Sequence, residues 1–478
     1  MTLTPAAAAT PAPSPSPAAP PVSPSPTAPE VTAASAGNPA SAGTPGTAPA
    51  PASSPSPLTR EELGRLYRRR LNKGRAVLGE MFGGHIETES LGAWVFTAEG
   101  RRFLNCGGYG VLLTGARHPT VVRHVSEQLN RHPVATRVFL EPQAALAAEA
   151  LVEVCPPGLE RVHFAGSGAE AVECAIKMAR THGRRHLVAT VGGYHGKTMG
   201  ALSLTGRDVF REPFRPLLPD VEHVAYGDAT ALEEVLLRHP GDCCVVIEPV
   251  QGEAGVILPP DGYLTRVQEL CRLHGAFFVL DEVQTGLGRL GAWWGADREG
   301  VTPDALLVGK GLSGGIVPVS AVVATPAAFK VFDRDPYLHT STFSGAPLAM
   351  AAARGALAAL HEDGLVERAR VLGDELLVGL GEIARGHYGD GLREVRGRGL
   401  LIGFEFARPG AAGDLLIEVA EQGVIANHSL NSDHVLRLTP PAVLSRSDID
   451  FLYEAFDRAC GRQASAYAIS SEGGIGHA

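Results

Sequence analysis

Two charged side chains stand at the ends of predicted buried strands, where a charge needs a chemical reason. Asp281 closes the apolar run FFVLDEV (277–283), and Lys310 closes ALLVGKG (305–311). A carboxylate at such a position is costly unless a cation pairs with it. Burial lowers the pKa of an amine, which makes Lys310 a usable nucleophile toward an aldehyde. The pair predicts amine chemistry; a local salt bridge for Asp281 and a solvated strand end for Lys310 are the simpler alternatives.

The scarcity of lysine adds weight to Lys310. The chain has 37 arginines and only five lysines, which are Lys73, Lys177, Lys197, Lys310 and Lys330. In a chain that uses arginine so heavily, a lysine at a strand end indicates a reaction that a guanidinium cannot perform.

Three glycine-rich segments compete for a phosphate-binding role. GLGRLG (286–291) matches a dinucleotide-binding pattern, but no helix follows it, which favours a tight loop. GGYHGKT (192–198) is similar to a nucleotide-triphosphate loop but has Val191 where that loop needs glycine, so we reject it. AGSGAEA (165–171) lies between a predicted strand and a predicted helix, whose free N–H groups favour an anion. This third segment predicts an anion site, with a plain strand–helix turn as the alternative.

The elements that must position these groups alternate along the chain. Segments 169–183 and 265–275 have helical periodicity, and short β-type runs cover 161–166, 186–190, 243–250, 277–283 and 305–311. This alternation predicts an α/β fold with a mainly parallel, three-layer sheet. Asp281 would then lie at a carboxyl strand end, where ligands of open α/β sheets bind. From about residue 351 onward the pattern predicts a smaller α+β domain.

Composition excludes several classes of function. The net charge of −9 and the pI near 6.0 argue against a nucleic-acid-binding surface. No apolar run is long enough to predict a membrane-spanning helix. Seven scattered cysteines form no metal-site spacing and no disulfide framework, which favours a reducing, cytoplasmic location.

Taken together, the candidate groups match the needs of one cofactor. Pyridoxal 5′-phosphate requires an anion site, a flat surface against its ring, a carboxylate for the ring nitrogen and an amine for its aldehyde. The chain supplies them in order as a phosphate cradle, an aromatic loop and two charged strand ends, namely Ser167, Gly168 and Ala169, then Tyr194 and His195, then Asp281 and Lys310. No metal site is predicted.

From about residue 75 to 460 the sequence resembles the class III, pyridoxal-phosphate-dependent aminotransferases of fold type I. The motifs that carry the resemblance occur in the family's order: GSGAEAVECAIKMAR, GGYHGKT, EPVQGEAGVILPPDGYL, VLDEVQTGLGRLG, GKGLSGG, HTSTFSGAPLAMAAA and RGRGLLIGFE. GYHGKT, GVILPPDGYL and PYLHTSTFSGAPL are most similar to the putrescine (diamine) aminotransferases.

The resemblance implies a large three-layer domain, a smaller α+β domain and a homodimer. The expected organisation is a disordered Pro/Ala/Ser/Thr-rich tail (1–57), an N-terminal segment of the small domain (58–115), the large cofactor-binding domain (116–346), the C-terminal part of the small domain (347–462) and a flexible C-terminus (463–478).

The resemblance also implies a role for each matching residue. Lys310 would form the internal aldimine, and Asp281 would pair with the pyridine nitrogen. The other implied cofactor contacts are Gln284 on the ring hydroxyl, Val283 and Tyr194 on the two ring faces, Ser167, Gly168 and Ala169 around the phosphate, and His195 and Glu248 nearby. Thr342 would reach the phosphate in the neighbouring subunit.

Three residues bear on the substrate. Arg437 matches the arginine that binds a substrate carboxylate, and Glu253 matches the glutamate that pairs with it otherwise. Lys197 stands where relatives that use ornithine, acetylornithine or 4-aminobutyrate often carry arginine. Because lysine lacks the fork that matches a carboxylate, Lys197 indicates a donor without a carboxylate at that end.

The expected activity is a ping-pong transamination between a primary (di)amine such as putrescine and 2-oxoglutarate or pyruvate. Alternatives within the family are an acetylornithine, ornithine or 4-aminobutyrate aminotransferase, amination of an aldehyde or ketone in a specialised pathway, and an aminomutase. Outside it, the alternatives are a nucleotide-binding module and a non-catalytic interaction protein built around the tail.

Overall fold

The computed structural model describes residues 58–472, with side chains described up to residue 465. The predicted tail, residues 1–57, therefore lies outside the described residues. The helices are α1 Arg60–Arg70, α2 Lys73–Met81, α3 Pro119–Leu129, α4 Pro142–Val152, α5 Gly168–Thr181, α6 Met199–Leu204, α7 Asp208–Arg211, α8 Ala229–Arg238, α9 Tyr263–His274, α10 Pro326–Arg334, α11 Pro347–Glu362, α12 Leu365–Tyr388, α13 Ala411–Glu421 and α14 Arg446–Glu472.

The strands form three sheets. They are β1 Glu87–Leu91, β2 Trp94–Thr97, β3 Arg102–Asn105, β4 Arg161–Ala165, β5 His186–Thr190, β6 Val221–Val224, β7 Cys243–Ile247, β8 Phe277–Asp281, β9 Ala305–Val308, β10 Ser320–Ala324, β11 Leu392–Arg398, β12 Leu401–Phe406, β13 Val424–Ile425, β14 Asn427–Ser429 and β15 Ser432–Leu438.

The largest sheet has seven strands in the order β4-β10-β9-β8-β7-β5-β6. Only β10 runs against the others in this sheet, pairing antiparallel with both β4 and β9. Every residue of β5, β7, β8 and β9 is buried. Strands covered on both faces read as continuous apolar runs, which is why their positions are visible in the sequence.

Helices cover both faces of this sheet. Alternate strand residues point to opposite sides, so that Val246 packs in one apolar cluster with α5 and Val245 packs in another with α9. The result is a three-layer, mainly parallel α/β arrangement, and the predicted fold class is confirmed.

Two four-stranded sheets complete the fold. One has the order β1-β2-β3-β13, and the other has the order β11-β12-β15-β14. In the first, β13 pairs parallel with β3, which joins the N-terminal segment to the C-terminal part of the chain. Helices α12, α13 and α14 pack beside the second sheet. The domain boundaries near residues 116 and 346 stay predictions.

The last helix is longer than the sequence analysis expected. A loose C-terminus was expected from residue 463, whereas α14 continues to Glu472. The segment from Gln463 to Glu472 contains neither glycine nor proline, so nothing interrupts the helix before the glycine pair at 473 and 474. Among the described residues, no helix is both long and apolar enough to cross a membrane.

Candidate active site

The two charged strand ends lie side by side at the carboxyl ends of the parallel strands in the large sheet. Asp281 is the last residue of β8, and Lys310 follows the end of the adjacent parallel strand β9. Lys310 has a φ of 43°, in the left-handed region that residues other than glycine seldom adopt. Such backbone strain is found mainly where function requires it.

A cavity of about 540 Å³ opens at this edge. Most of the residues predicted to serve the site line it, namely Ser167, Gly168, Ala169, Tyr194, His195, Lys197, Glu248, Asp281, Val283, Gln284 and Lys310. Arg437, Glu253 and Thr342 are not among the lining residues.

Lys310 is a half-buried amine among charges of both signs. Its pKa is lowered to about 8, chiefly because burial removes water from the ammonium. Glu253, Asp281 and Glu248 oppose this shift, whereas Arg437 adds to it. An amine with such a pKa is substantially neutral near pH 8, and only the neutral form can attack a carbonyl or accept a proton.

Asp281 is held by its neighbours on two sides. One carboxylate oxygen, Oδ2, lies 2.8 Å from His195 Nδ1, and the N–H of Val283 donates to Oδ1 at 3.1 Å. Burial disfavours a charged His195, but the hydrogen bond and the charge of Asp281 outweigh this effect and raise its pKa. His195 and Val283 thus fix the position of the Asp281 carboxylate in the lining of the cavity.

Glu248 is a buried carboxyl beside this pair. Burial raises its pKa to about 7, although His195 and Lys310 act in the opposite direction. The N–H of Tyr194 donates to Glu248 Oε2 at 3.0 Å, which fixes the loop that carries the Tyr194 ring. The loop of Tyr194 and His195, predicted from the sequence to provide a flat aromatic surface, is therefore held by Glu248, which directly follows β7.

Glu253 and Arg437 form a buried ion pair beside the cavity. Arg437 Nη2 lies 2.7 Å from Glu253 Oε1, and both side chains are almost completely shielded from solvent. Burial acts to raise the pKa of Glu253, but Arg437 and Lys310 reverse the effect and lower it. Two further nitrogens of Arg437, Nη1 and Nε, are buried and find no hydrogen-bond partner among the described residues.

These features fit a flat ring that carries an anionic group. Gln284 Nε2 and His195 Nε2 are buried donors or acceptors without a partner among the described residues. The amides of Gly168 and Ala169 open α5, where a helix has no N–H acceptors of its own. A Cβ on Gly168 would stand 2.8 Å from Val283 Cγ1, so only glycine lets the helix start approach the cavity so closely.

Lys197 lies at the exposed rim of the cavity. Its Nζ stands 4.3 Å above the centre of the Phe210 ring, a cation–π arrangement. Phe210 draws the ammonium toward the rim, a contact that sequence reasoning did not anticipate.

Thr342 does not line the cavity of its own chain. It lies in an exposed loop whose carbonyls accept from Arg137: Nη2 lies 2.6 Å from the Ser341 oxygen and 3.0 Å from the Thr342 oxygen. Sequence reasoning missed Arg137, because it is about 200 residues from the loop and carries no local motif.

Sequence reasoning also missed Arg289, the arginine within GLGRLG. Its buried guanidinium donates to the carbonyls of Pro440 at 2.6 Å, Leu400 at 3.0 Å and Gly110 at 3.3 Å. Burial lowers its pKa to about 9. The segment is thus a loop that ties three chain segments together, and its resemblance to a dinucleotide fingerprint is incidental.

Comparisons with known proteins give a consistent result. The model of the class III aminotransferase family matches residues 80–460. The ornithine aminotransferase of Toxoplasma gondii superposes with a TM-score of 0.79 at 30% identity, over 86% of this chain and 96% of that one. An (S)-enantioselective omega-transaminase of Thermomicrobium roseum gives a TM-score of 0.74 at 29% identity, over 79% and 93%. An amine transaminase from an uncultivated Pseudomonas species, solved with pyridoxal phosphate bound, gives 0.73 at 28% identity, over 79% and 95%.

Proposed function

The chain belongs to the class III aminotransferases, enzymes that depend on pyridoxal phosphate, and we propose that its amino donor is a primary amine or diamine such as putrescine. The acceptor in this proposal is a 2-oxo acid, 2-oxoglutarate or pyruvate. The observation that carries it is the buried Glu253–Arg437 ion pair beside a cavity that, among the described residues, is lined by no arginine.

In this proposal, different residues around the cavity bind different parts of the cofactor. Lys310 provides the amine that joins it covalently, Asp281 provides the negative charge for its ring nitrogen, and Gln284 Nε2 provides a donor for the ring hydroxyl. The amides of Gly168 and Ala169 with the Ser167 hydroxyl receive the phosphate at the start of α5. When bound, pyridoxal phosphate supplies an aldehyde and a ring that withdraws electrons from the substrate carbon.

Lys310 also moves the proton in this proposal. With its pKa lowered to about 8, the free amine of Lys310 would be neutral enough to accept the proton that leaves the substrate carbon. As the resulting ammonium it would return that proton to the cofactor carbon that had carried the aldehyde. Asp281, whose Oδ2 lies 2.8 Å from His195 Nδ1, would face the ring nitrogen.

Glu253 lets one pocket accept two different partners. While a diamine is bound, Glu253 neutralises Arg437 at 2.7 Å, so no uncompensated cation faces the donor. When a 2-oxo acid enters, its carboxylate replaces Glu253 on the Arg437 fork. The unpartnered Nη1 and Nε of Arg437 are available for the second hydrogen bond of that arrangement.

Lys197, at the rim of the cavity, also supports the proposal that the donor is an amine without a distal carboxylate. With its ammonium above Phe210, it presents no bidentate fork to a distal carboxylate.

The proposal includes a homodimer. Thr342 lies in an exposed loop outside its own cavity, and it would complete the phosphate site of the neighbouring subunit. Arg137 holds the carbonyls of this loop and would fix its position across the interface.

A second candidate is an aminotransferase for ornithine, acetylornithine or 4-aminobutyrate. It is favoured by the superposition on the ornithine aminotransferase of Toxoplasma gondii. The two candidates differ in whether the donor carries a carboxylate that Arg437 or Lys197 must bind.

A donor screen tests the proposal. Purified enzyme is supplied with putrescine, cadaverine, ornithine, acetylornithine or 4-aminobutyrate, each with 2-oxoglutarate and with pyruvate. We expect kcat/KM to be highest for a diamine. A preference of tenfold or more for a donor that carries a carboxylate would reject the diamine assignment in favour of the second candidate. The Lys310→Ala variant serves as the blank.

A further inference from the structure

A second cluster of ionisable side chains lies at the amino ends of strands in the large sheet, opposite the carboxyl ends where the cavity lies. His186 is the first residue of β5, Glu222 lies near the start of the edge strand β6, and His239 directly follows α8. The cavity, in contrast, is built at the carboxyl ends of the parallel strands. The transamination proposed above makes no use of these three residues.

The three side chains converge on one carboxylate oxygen. Glu222 Oε1 lies 2.9 Å from His186 Nε2 and 3.2 Å from His239 Nε2. The two imidazole rings stack with their centres 3.7 Å apart and their planes 12° apart. One nitrogen from each histidine and one oxygen of the glutamate therefore meet within a sphere a few ångströms wide.

The burial of His186 is not accompanied by a hydrogen bond to its Nε2. His186 is 8% exposed, and its buried Nε2 finds no hydrogen-bond partner among the described residues. The 2.9 Å contact with Glu222 Oε1 is an ion pair and does not count as a directed hydrogen bond. A buried polar atom without a directed hydrogen bond is destabilising unless another ligand satisfies it.

We propose that His186, Glu222 and His239 bind a divalent transition-metal ion of the zinc class. Two imidazole nitrogens and one carboxylate oxygen are typical ligands of such ions, which bind them at about 2.0–2.2 Å. Ligand atoms around an ion at that distance are about 3 Å apart, which is close to the two separations found here. His239 is partly exposed, so its ring can turn out of the stack toward the ion.

Arg238 is the group that competes with the ion. Its guanidinium donates to the other oxygen of Glu222, Oε2, so Oε1 remains directed at the imidazoles. Because Arg238 contacts the same carboxylate, its positive charge repels a metal ion bound there and weakens metal binding. Removing this charge should therefore tighten the site.

The described residues contain a second group with ligand-type side chains, His163, Cys174 and His339. Its members suit a metal less well, because Lys177 Nζ stands 3.0 Å from His339 Nδ1 and places an ammonium in the site. Burial also raises the pKa of the Cys174 thiol, which disfavours the thiolate that would bind. This group provides the internal control.

A bound ion would join β5, β6 and α8 at the edge of the sheet. Because the ligands come together only in the folded chain, the ion would stabilise the native state without altering the catalytic cavity.

The test uses the pyridoxal-phosphate-loaded enzyme, dialysed against a chelator and then titrated with Zn²⁺ and, separately, Co²⁺. We expect one tightly bound ion per chain, a Tm that rises by a few degrees, and a Co²⁺ difference spectrum without a sulfur-to-cobalt charge-transfer band. Glu222→Gln and His239→Gln should weaken binding at least tenfold, while transaminase activity stays unchanged.

Two further variants keep the test decisive. Arg238→Gln should bind Zn²⁺ more tightly than the wild type, and His339→Gln should bind it equally well. The proposal is overturned by the absence of bound metal, by wild-type affinity in His239→Gln, or by weaker binding in Arg238→Gln. A charge-transfer band that disappears in His339→Gln would also overturn it, by placing the ion on Cys174.

Discussion

At the scale of single residues, the chemistry rests on how burial and neighbouring charges set the state of each group. Lys310 is kept partly neutral by desolvation, with its pKa near 8. On the neighbouring strand, Asp281 Oδ1 accepts from the N–H of Val283, and Oδ2 lies 2.8 Å from His195 Nδ1. The hydrogen bond and the charge of Asp281 outweigh burial and raise the pKa of His195.

Asp281→Asn tests the carboxylate. The variant should still bind pyridoxal phosphate but lose two or more orders of magnitude in kcat, because a neutral amide cannot stabilise a protonated ring nitrogen. The pKa of His195 should fall below its ordinary value, because burial, the largest influence on it, would no longer be outweighed by Asp281.

Single-turnover absorbance and NMR titration of the imidazole measure the two effects of Asp281→Asn. Asp304→Asn is the matched control, since Asp304 directly precedes β9 and is also shielded, but accepts from the N–H of Phe278 outside the cavity. Full activity in Asp281→Asn would contradict the assignment.

Lys197→Arg tests the basis of donor choice. A guanidinium at this rim position can bind a distal carboxylate through two hydrogen bonds, so ω-amino acids should gain several-fold or more in kcat/KM relative to diamines. Lys330→Arg makes the same change at an exposed position on α10 and should have no effect. An unchanged ratio of donors in Lys197→Arg would remove this support for a diamine substrate.

At the scale of elements, the parts that sequence predicted best are those determined by local pattern. Buried strands such as β8 and β9 appear as apolar runs, so their charged ends, Asp281 and Lys310, were visible without a structure. The helix start at Gly168 was visible because glycine and serine precede a periodic segment.

Other parts depend on contacts between distant segments. The reversed strand β10 joins the sheet between β4 and β9, an arrangement that no local pattern fixes. The ion pair of Glu253 and Arg437 joins residues 184 positions apart, and only the family resemblance indicated it. The position of Lys197 above Phe210 depends on side-chain packing and was not predicted at all.

The start of α5 gives a prediction at this scale. Gly168→Ala places a methyl group 2.8 Å from Val283 Cγ1 and forces the helix start away from Val283 and the cavity. We expect the Kd for pyridoxal phosphate to rise about tenfold, which corresponds to about 1.4 kcal/mol. Gly413→Ala, at an open position within α13, is the control and should bind the cofactor normally. Equal Kd values would contradict a close phosphate cradle.

At the scale of the whole molecule, the proposed dimer accounts for an exposed apolar segment. Val138, Phe139 and Leu140 are 81%, 78% and 102% exposed, and they lie just beyond Arg137, the residue that holds the Thr342 loop. Exposed apolar clusters of this kind mark interaction surfaces. In the proposed homodimer, the partner chain covers them.

Leu140→Asp should therefore separate the subunits. A charge in the interface would be desolvated without a partner, and sedimentation should report monomers that have lost cofactor affinity because Thr342 no longer reaches the neighbouring site. Val378→Asp changes an exposed apolar residue of α12 in the same way and should leave the assembly intact. A Leu140→Asp enzyme that remains dimeric would place the interface elsewhere.

The central claim is that the amine of Lys310 carries the cofactor, and borohydride reduction of the yellow holoenzyme followed by peptide mass mapping tests it most directly. We predict a single reduced pyridoxyl phosphate adduct on the peptide that contains Lys310, and none after Lys310→Ala. An adduct on Lys197 or another lysine, or one that persists in Lys310→Ala, would contradict the account.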